Sequence, residues 1–160
     1  MSDALSGLYQ QVILDHSKKR AGDRVLATAD ATRFERNPTC GDEITLQLSL
    51  APGTDIIDAI AWQGNGCSIS MASASVLSQL APGLTVAELQ STIDEFRTML
   101  RSKGVGEPDE DVLGDAVVFQ GVSKYVMRVK CAMLAWVATE GTMADAAAAR
   151  DEAARGGRPG

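Results

Sequence analysis

Between Ile44 and Leu50 apolar and polar positions alternate strictly, Ile44, Leu46, Leu48 and Leu50 being separated by Thr45, Gln47 and Ser49. That two-residue period belongs to a strand with one buried and one wet face. Ala51-Pro52-Gly53-Thr54 reads as a turn. The run Ile56–Trp62 then resumes the alternation, with Ile56, Asp58, Ile60 and Trp62 on one side and Ile57, Ala59 and Ala61 on the other. The two segments predict an antiparallel hairpin. A lone hairpin is marginal in water, so a third strand is expected within residues 28–36.

Elsewhere the period lengthens to three and four. Leu5, Leu8, Val12 and His16 predict a helix over residues 5–19, closed at Gly22 with Lys18, Lys19 and Arg20 near its carboxyl end, where positive charge opposes the helix dipole. After Gly64-Asn65-Gly66-Cys67-Ser68, helical spacing returns in Ile69, Ala72, Val76 and Leu80 until Pro82-Gly83 stops it, which puts Cys67 at a helix start. Thr85 and Glu88 have capping-box spacing, with Leu84 as a staple residue, and predict a helix over 86–101 whose face is Leu89, Ile93, Phe96 and Leu100.

Residues 103–121 are rich in glycine and acid and read as a solvated loop with a short helical turn. A further helix is expected after Gly121, ending before Gly141, with Val122, Val126, Val129, Met133 and Val137 as its core stripe. Beyond Met143 there is no large apolar side chain, so residues 142–160 are expected to form a disordered tail behind a domain at 1–141. The elements together specify an α+β fold, a small three-stranded antiparallel sheet packed with helices.

Composition narrows the function. With 160 residues and 45% apolar content the chain can bury one sizeable core. A net charge of −6 without a basic stripe interleaved with aromatics argues against a nucleic-acid partner. The opening MSDALSGLYQQ lacks the basic-then-apolar order of a secretory signal, and no run of eighteen apolar residues exists to span a membrane. A soluble, cytoplasmic protein is expected. Three cysteines, an odd number, do not make a disulfide framework, so reduced thiols are the expectation.

Those thiols carry the candidate chemistry. Cys40, Cys67 and Cys131 with Asp42 amount to three thiolates and one carboxylate, a complete tetrahedral ligand set for zinc or iron. Cys40 and Asp42 flank Gly41, so both side chains can turn toward one point, with Pro38 stiffening the approach. At Cys67 the backbone N–H groups of a first helical turn favour thiolate over thiol, as a ligand or as a nucleophile, and Ser68, Ser70 and Ser73 suit a turn exposed near a site. A buried cysteine capping the helix is the plain alternative. Cys131 lies beside Lys130 and one turn beyond Arg128 and Met127, where a core cysteine and a ligand are equally good readings; Arg128 could attract an anionic sulfur or pair with Asp42. His16, the single histidine, reads as a packed or capping residue, and no Ser-His-Asp arrangement follows from it.

Four blocks in order carry a resemblance: Leu8-Tyr9-Gln10 with Val12-Ile13-Leu14-Asp15-His16; Asn37-Pro38-Thr39-Cys40-Gly41-Asp42; Gly64-Asn65-Gly66-Cys67-Ser68-Ile69-Ser70 with Ala72 and Ser75; and Arg128-Val129-Lys130-Cys131-Ala132 with Leu134-Ala135-Trp136. Over about residues 5–140 the chain resembles the SufU branch of the IscU/NifU iron–sulfur cluster assembly family. The resemblance implies ligand loops gathered at one end of the fold, with Cys40, Asp42, Cys67 and Cys131 as metal ligands. It implies Cys40 as the acceptor of persulfide sulfur from a cysteine desulfurase of the SufS type, and Arg128 as a supporting residue of the same site. The scaffold branch has a histidine immediately before the third cysteine, where this chain has Lys130, and the stretch between the second and third cysteines is longer here. Both departures favour the zinc-containing, sulfurtransferase-like branch, a carrier that activates its desulfurase and passes sulfur toward cluster-scaffold proteins. The alternative is a scaffold that builds a [2Fe–2S] cluster on the same ligands.

Overall fold

A computed structural model describes residues 3–38, 41–105 and 108–156 of the chain. Strands β1 (Ala31–Asn37), β2 (Asp42–Leu50) and β3 (Ile57–Asn65) form one antiparallel sheet in the order β1-β2-β3. Around it stand α1 (Asp3–Lys19), α2 (Ser68–Leu80), α3 (Val86–Arg101), the single turn α4 (Glu110–Leu113), a 3-10 helix (Gly114–Lys124) and α5 (Val126–Gly156). The α+β class and the third strand agree with the sequence. β2 is central and buries alternate side chains, Asp42, Ile44, Leu46, Leu48 and Leu50, beneath α5, while α2 packs on α5 and meets β3. Across the other face runs the connection from α1 to β1. It bonds the Trp62 edge through Gly22 and Arg24, reaches Gln47 through the Leu26 N–H, and meets β2 again at Asp30.

The faces of β3 differ from strict alternation. The register shifts between Ser49 and Leu50, so that Leu50 pairs with Ile57 while Ser49 pairs with Ala59, leaving Asp58 as an extra residue. This bulge turns Ile57 to the inner face with Ile60 and Trp62, and leaves Ile56 exposed. Burying Ile57 keeps Asp58 in water, and simple alternation would have buried the acid.

α3 begins as the sequence predicts. The Thr85 hydroxyl accepts from the Glu88 N–H, and the Glu88 carboxylate accepts from the Thr85 N–H. Its face of Leu89, Ile93, Phe96 and Leu100 is buried. On its outer side, Arg97 donates to Glu140 of α5, to which Gln90 also donates at 2.7 Å. Partial burial pushes the Glu140 carboxyl up, but the hydrogen bonds from Arg97 and Gln90 and the guanidinium charge outweigh it and hold the group below its ordinary value. A depressed folded-state value stabilises above the unfolded-state value and is lost as the pH falls through the folded one. The stability difference between wild type and Glu140→Gln is therefore expected to be full at neutral pH and to shrink below about pH 4, read by denaturant titration at several pH values.

Three expectations for the second half are corrected. Residues 103–121 are not mainly a solvated loop. From Gly114 the 3-10 helix buries Ala116, Val117, Val118, Phe119 and Val122, and Lys103, Val105, Asp109, Glu110, Asp111 and Asp115 stay exposed, while Gly106 and Glu107 lie outside the described residues. α5 starts at Val126, where the Tyr125 carbonyl accepts from the Arg128 and Val129 N–H groups, and the expected stripe is only partly a core face. Val122 and Met133 are buried and Val129 packs on the core, but Val126 and Val137 are exposed, whereas Ala132, Ala135, Trp136, Thr139 and Met143 are buried, where α5 packs on α2 and Ser73 bonds the Ala132 carbonyl and Trp136. Lastly, α5 does not end before Gly141 but continues to Gly156. Thr142, Met143 and Ala146 are buried, Arg33 of β1 pairs with Asp145 at 3.1 Å, and Arg150 donates to the Thr54 and Ala51 carbonyls. Small side chains suffice here because the sheet supplies the partner groups. Residues 157–160 lie outside the described residues. Among the described residues no helix is long and apolar enough to cross a membrane.

Candidate metal centre

The start of β2, the start of α2 and the first turns of α5 meet at one end of the sheet. Asp42, the first residue of β2, pairs with Asn37 of β1, and the Gly41 N–H donates to the Asn37 carbonyl at 2.8 Å to close the hairpin. Gly41 has φ +74, left-handed backbone that glycine adopts without strain, so the chain turns sharply between Cys40 and Asp42. Cys40 itself lies outside the described residues.

Cys67 is the N-cap of α2, extended at φ −68 and ψ 168, and its carbonyl accepts from the Met71 N–H. Its side chain caps nothing and instead reaches Asp42. The Cys67 N–H donates to Asp42 Oδ1 at 3.2 Å and Sγ to Oδ2 at 3.5 Å. The Ser70 hydroxyl donates to the same Oδ2. Asp42 is only 4% exposed, and the space it needs is provided by Gly66, where an added Cβ would stand 2.8 Å from Asp42 Cγ. A buried carboxylate with donors on both oxygens is a satisfied anion, which burial alone would disfavour.

Cys131, 2% exposed, comes from α5 and donates through Sγ to the Met127 carbonyl at 3.6 Å. Its helix is fastened to α2 close by: Ser73 Oγ donates to the Ala132 carbonyl at 2.6 Å and accepts from Trp136 Nε1 at 2.8 Å. The ligand atoms of Asp42, Cys67 and Cys131 all lie within 4.8 Å of one another. Donors this close can share one cation after small side-chain movements, and two thiols with a carboxylate are donors zinc takes. The donor set therefore fits zinc.

Arg128 stands differently from its expected pairing. It is exposed, and among the described residues no ion pair joins it to Asp42; it lines a cavity of about 1040 Å³ onto which Cys67 also opens. Tyr9, Ile13 and Leu14 of α1 form one wall of that cavity, Val122, Tyr125 and Met127 the other. Ser70 and Ser73 are buried rather than exposed, one acting on Asp42 and the other on α5. The only sequence sign of Ser70's contact is its place one helical turn beyond Cys67. His16 is buried, as expected of a packed histidine, but it does meet a serine and an aspartate: Nδ1 lies 2.9 Å from Ser75 Oγ and Nε2 3.3 Å from Asp115 Oδ2. Ser75 Oγ also accepts from the Ala21 N–H and is fully buried, so the trio ties α1 to α2 and the 3-10 helix and offers no nucleophile.

The chain is similar to known proteins. Residues 8–132 match the family model described as the NifU-like N terminal domain. The chain is 42% identical over 137 residues to the zinc-dependent sulfurtransferase SufU of Bacillus subtilis, covering 85% of this chain and 89% of that one. It is 38% identical over 132 residues to the iron–sulfur cluster assembly scaffold protein IscU of Streptococcus pyogenes, covering 82% and 80%. The crystal structure of a protein described as an iron–sulfur cluster assembly scaffold protein for the SUF system (FiSufU), from Fervidobacterium islandicum AW-1, superposes with a TM-score of 0.76 at 32% identity, covering 83% of this chain and 94% of that one. With the model matched through all but the ends of the chain, and with two relatives this similar over most of their length, the protein belongs to the NifU-like N-terminal domain family.

Proposed function

We propose that the protein is a sulfur acceptor and carrier in iron–sulfur cluster biogenesis, taking persulfide sulfur from a cysteine desulfurase onto Cys40 beside a zinc site formed with Asp42, Cys67 and Cys131. The observation that carries this reading is the convergence of two thiols and a buried, doubly bonded carboxylate on one point, next to the loop that bears Cys40. The name of the Bacillus subtilis relative supports zinc and sulfur transfer together. Zinc bound here would hold its thiolate ligands deprotonated at neutral pH.

The chain's own groups do the rest. Asp42 is pinned from both oxygens, so it contributes fixed negative charge, while exposed Arg128 supplies positive charge at the cavity rim where an anionic sulfur must pass. The apolar wall of Ile13, Val122 and Met127 thins the water around Cys67. In the transfer itself the Cys40 thiolate attacks the outer sulfur of the desulfurase persulfide. A new S–S bond forms on Cys40 as the enzyme's S–S bond breaks, the enzyme cysteine leaves as thiolate, and no external oxidant or reductant enters.

A second reading, a scaffold for a [2Fe–2S] cluster, is favoured by the Streptococcus pyogenes relative. Lys130, exposed beside buried Cys131 where the scaffold branch carries histidine, weighs against it. Anaerobic purification with metal analysis and persulfide trapping separates the two. One zinc per chain, no labile sulfide, and a trapped persulfide on Cys40 after incubation with desulfurase and cysteine are expected. Iron and labile sulfide in equal amounts would replace this reading with the scaffold.

A further inference from the structure

We propose that Ser70 is a positioning residue for Asp42, whose hydroxyl holds the carboxylate against Cys67 and so aims it as a metal ligand. The inference rests on the zinc reading above and deepens it by naming the residue that fixes one of its ligands.

That hold is visible in how the side chains are tied. Asp42 leaves β2, yet both of its oxygens are held by the first turn of α2, Oδ1 by the Cys67 N–H at 3.2 Å and Oδ2 by the Ser70 hydroxyl. The carboxylate therefore moves with Cys67. Cys131 is coupled to the same helix through Ser73, which bonds the Ala132 carbonyl and Trp136 Nε1. Asp42 from β2, Cys67 at the start of α2 and Cys131 of α5 are thus tied to one another through α2.

Ser70 also selects the oxygen that faces the centre. Each carboxylate oxygen has two lone-pair directions. The Ser70 hydroxyl and the Cys67 sulfur, 3.5 Å away, both reach Oδ2, and the Ser70 oxygen lies 3.5 Å from that sulfur. Removing the hydroxyl takes away one of the donors that aim Oδ2, and ligating carboxylates depend on such outer partners for their aim.

The test is zinc affinity by chelator competition in the wild-type protein and in a Cys40→Ala background, where three protein ligands remain. Adding Ser70→Ala is expected to weaken zinc binding about 10–100-fold, and to change the visible d–d bands of the cobalt-substituted protein. Ser70→Thr, which keeps the hydroxyl, is expected to recover most of the affinity and the parent spectrum. The metal-free variants should melt together, which a purely structural role for Ser70 would not allow. Equal zinc affinity and an unchanged cobalt spectrum in Ser70→Ala overturn the proposal, as does a Thr variant no better than Ala with an intact fold. If the wild-type protein binds no zinc, the metal reading itself has failed and this proposal goes with it; if both the wild-type and Cys40→Ala backgrounds bind zinc regardless of Ser70, the positioning role alone has failed.

Discussion

Trp136→Ala is expected to destabilise the metal-free protein by about 3–5 kcal/mol, a large part of the roughly 5–15 kcal/mol that holds a domain of this size together. The indole is fully buried and stacks on Phe96, ring centroids 4.0 Å apart and planes 13° apart, while Phe119 meets Phe96 edge-on at 5.9 Å. Alanine removes one leaf of this cluster at the point where α3, α5 and the 3-10 helix meet, and close-packed neighbours cannot collapse into the space. It also removes the Nε1 donor to Ser73 Oγ. Trp136→Phe separates the two effects, since it keeps most of the ring and loses only the hydrogen bond, worth about 1 kcal/mol. Denaturant unfolding with chelator present measures both, because bound metal would otherwise add its own linkage to the result. A loss below about 1 kcal/mol for the alanine variant would mean that the α2–α5 contact is held elsewhere.

The place of Trp136 also shows where the sequence was legible and where it was not. β2 could be read because alternation over Ile44, Leu46, Leu48 and Leu50 is a purely local consequence of one wet and one dry face. The α3 start could be read because Thr85 and Glu88 satisfy each other within four residues. The core face of α5 could not, because valines at 126 and 137 outweigh alanines on any hydropathy pattern, while the small residues are selected by the distance to α2, which no local window contains. The bulge at Leu50 and Ile57 depends on pairing between strands, and the buried run Ala116–Phe119 was hidden by the acids around it. The stretch beyond Met143 lacks large apolar groups, and its anchors, Arg33 and the carbonyls of Ala51 and Thr54, lie about a hundred residues away in sequence.

The candidate site divided in the same way. Its donors were legible because thiol and carboxylate chemistry can be listed from residue types. Their convergence is a tertiary fact, carried by Gly66 making room for Asp42 and by Ser73 joining α2 to α5. Asp42 was expected as a ligand but not as the acceptor for an entire helical turn, and Arg128 was expected near Asp42 but stands at the cavity rim.

Cys40→Ala is expected to abolish acceptance of sulfur from a cysteine desulfurase while leaving the fold intact. The fold should survive because the neighbours of Cys40 close the loop: Asn37 pairs with Asp42, and the Gly41 N–H bonds the Asn37 carbonyl. Of the other two thiols, Cys131 is too buried for a partner's persulfide to reach in line with its S–S bond. Cys67 is the true rival, since it is partly exposed, opens onto the large cavity and sits at the start of a 13-residue helix. Its sulfur, however, is directed at Asp42 Oδ2, and an anionic neighbour repels an attacking thiolate's charge and a persulfide alike. Labelled sulfur delivered by desulfurase and followed by peptide mass mapping decides between them. Loss of label in Cys40→Ala with retention in Cys67→Ala, judged against circular dichroism for folding, is the expected pattern. Label persisting on the Cys67 peptide of the Cys40→Ala protein at the wild-type rate would transfer the acceptor role to Cys67 and make the loop cysteine a ligand only.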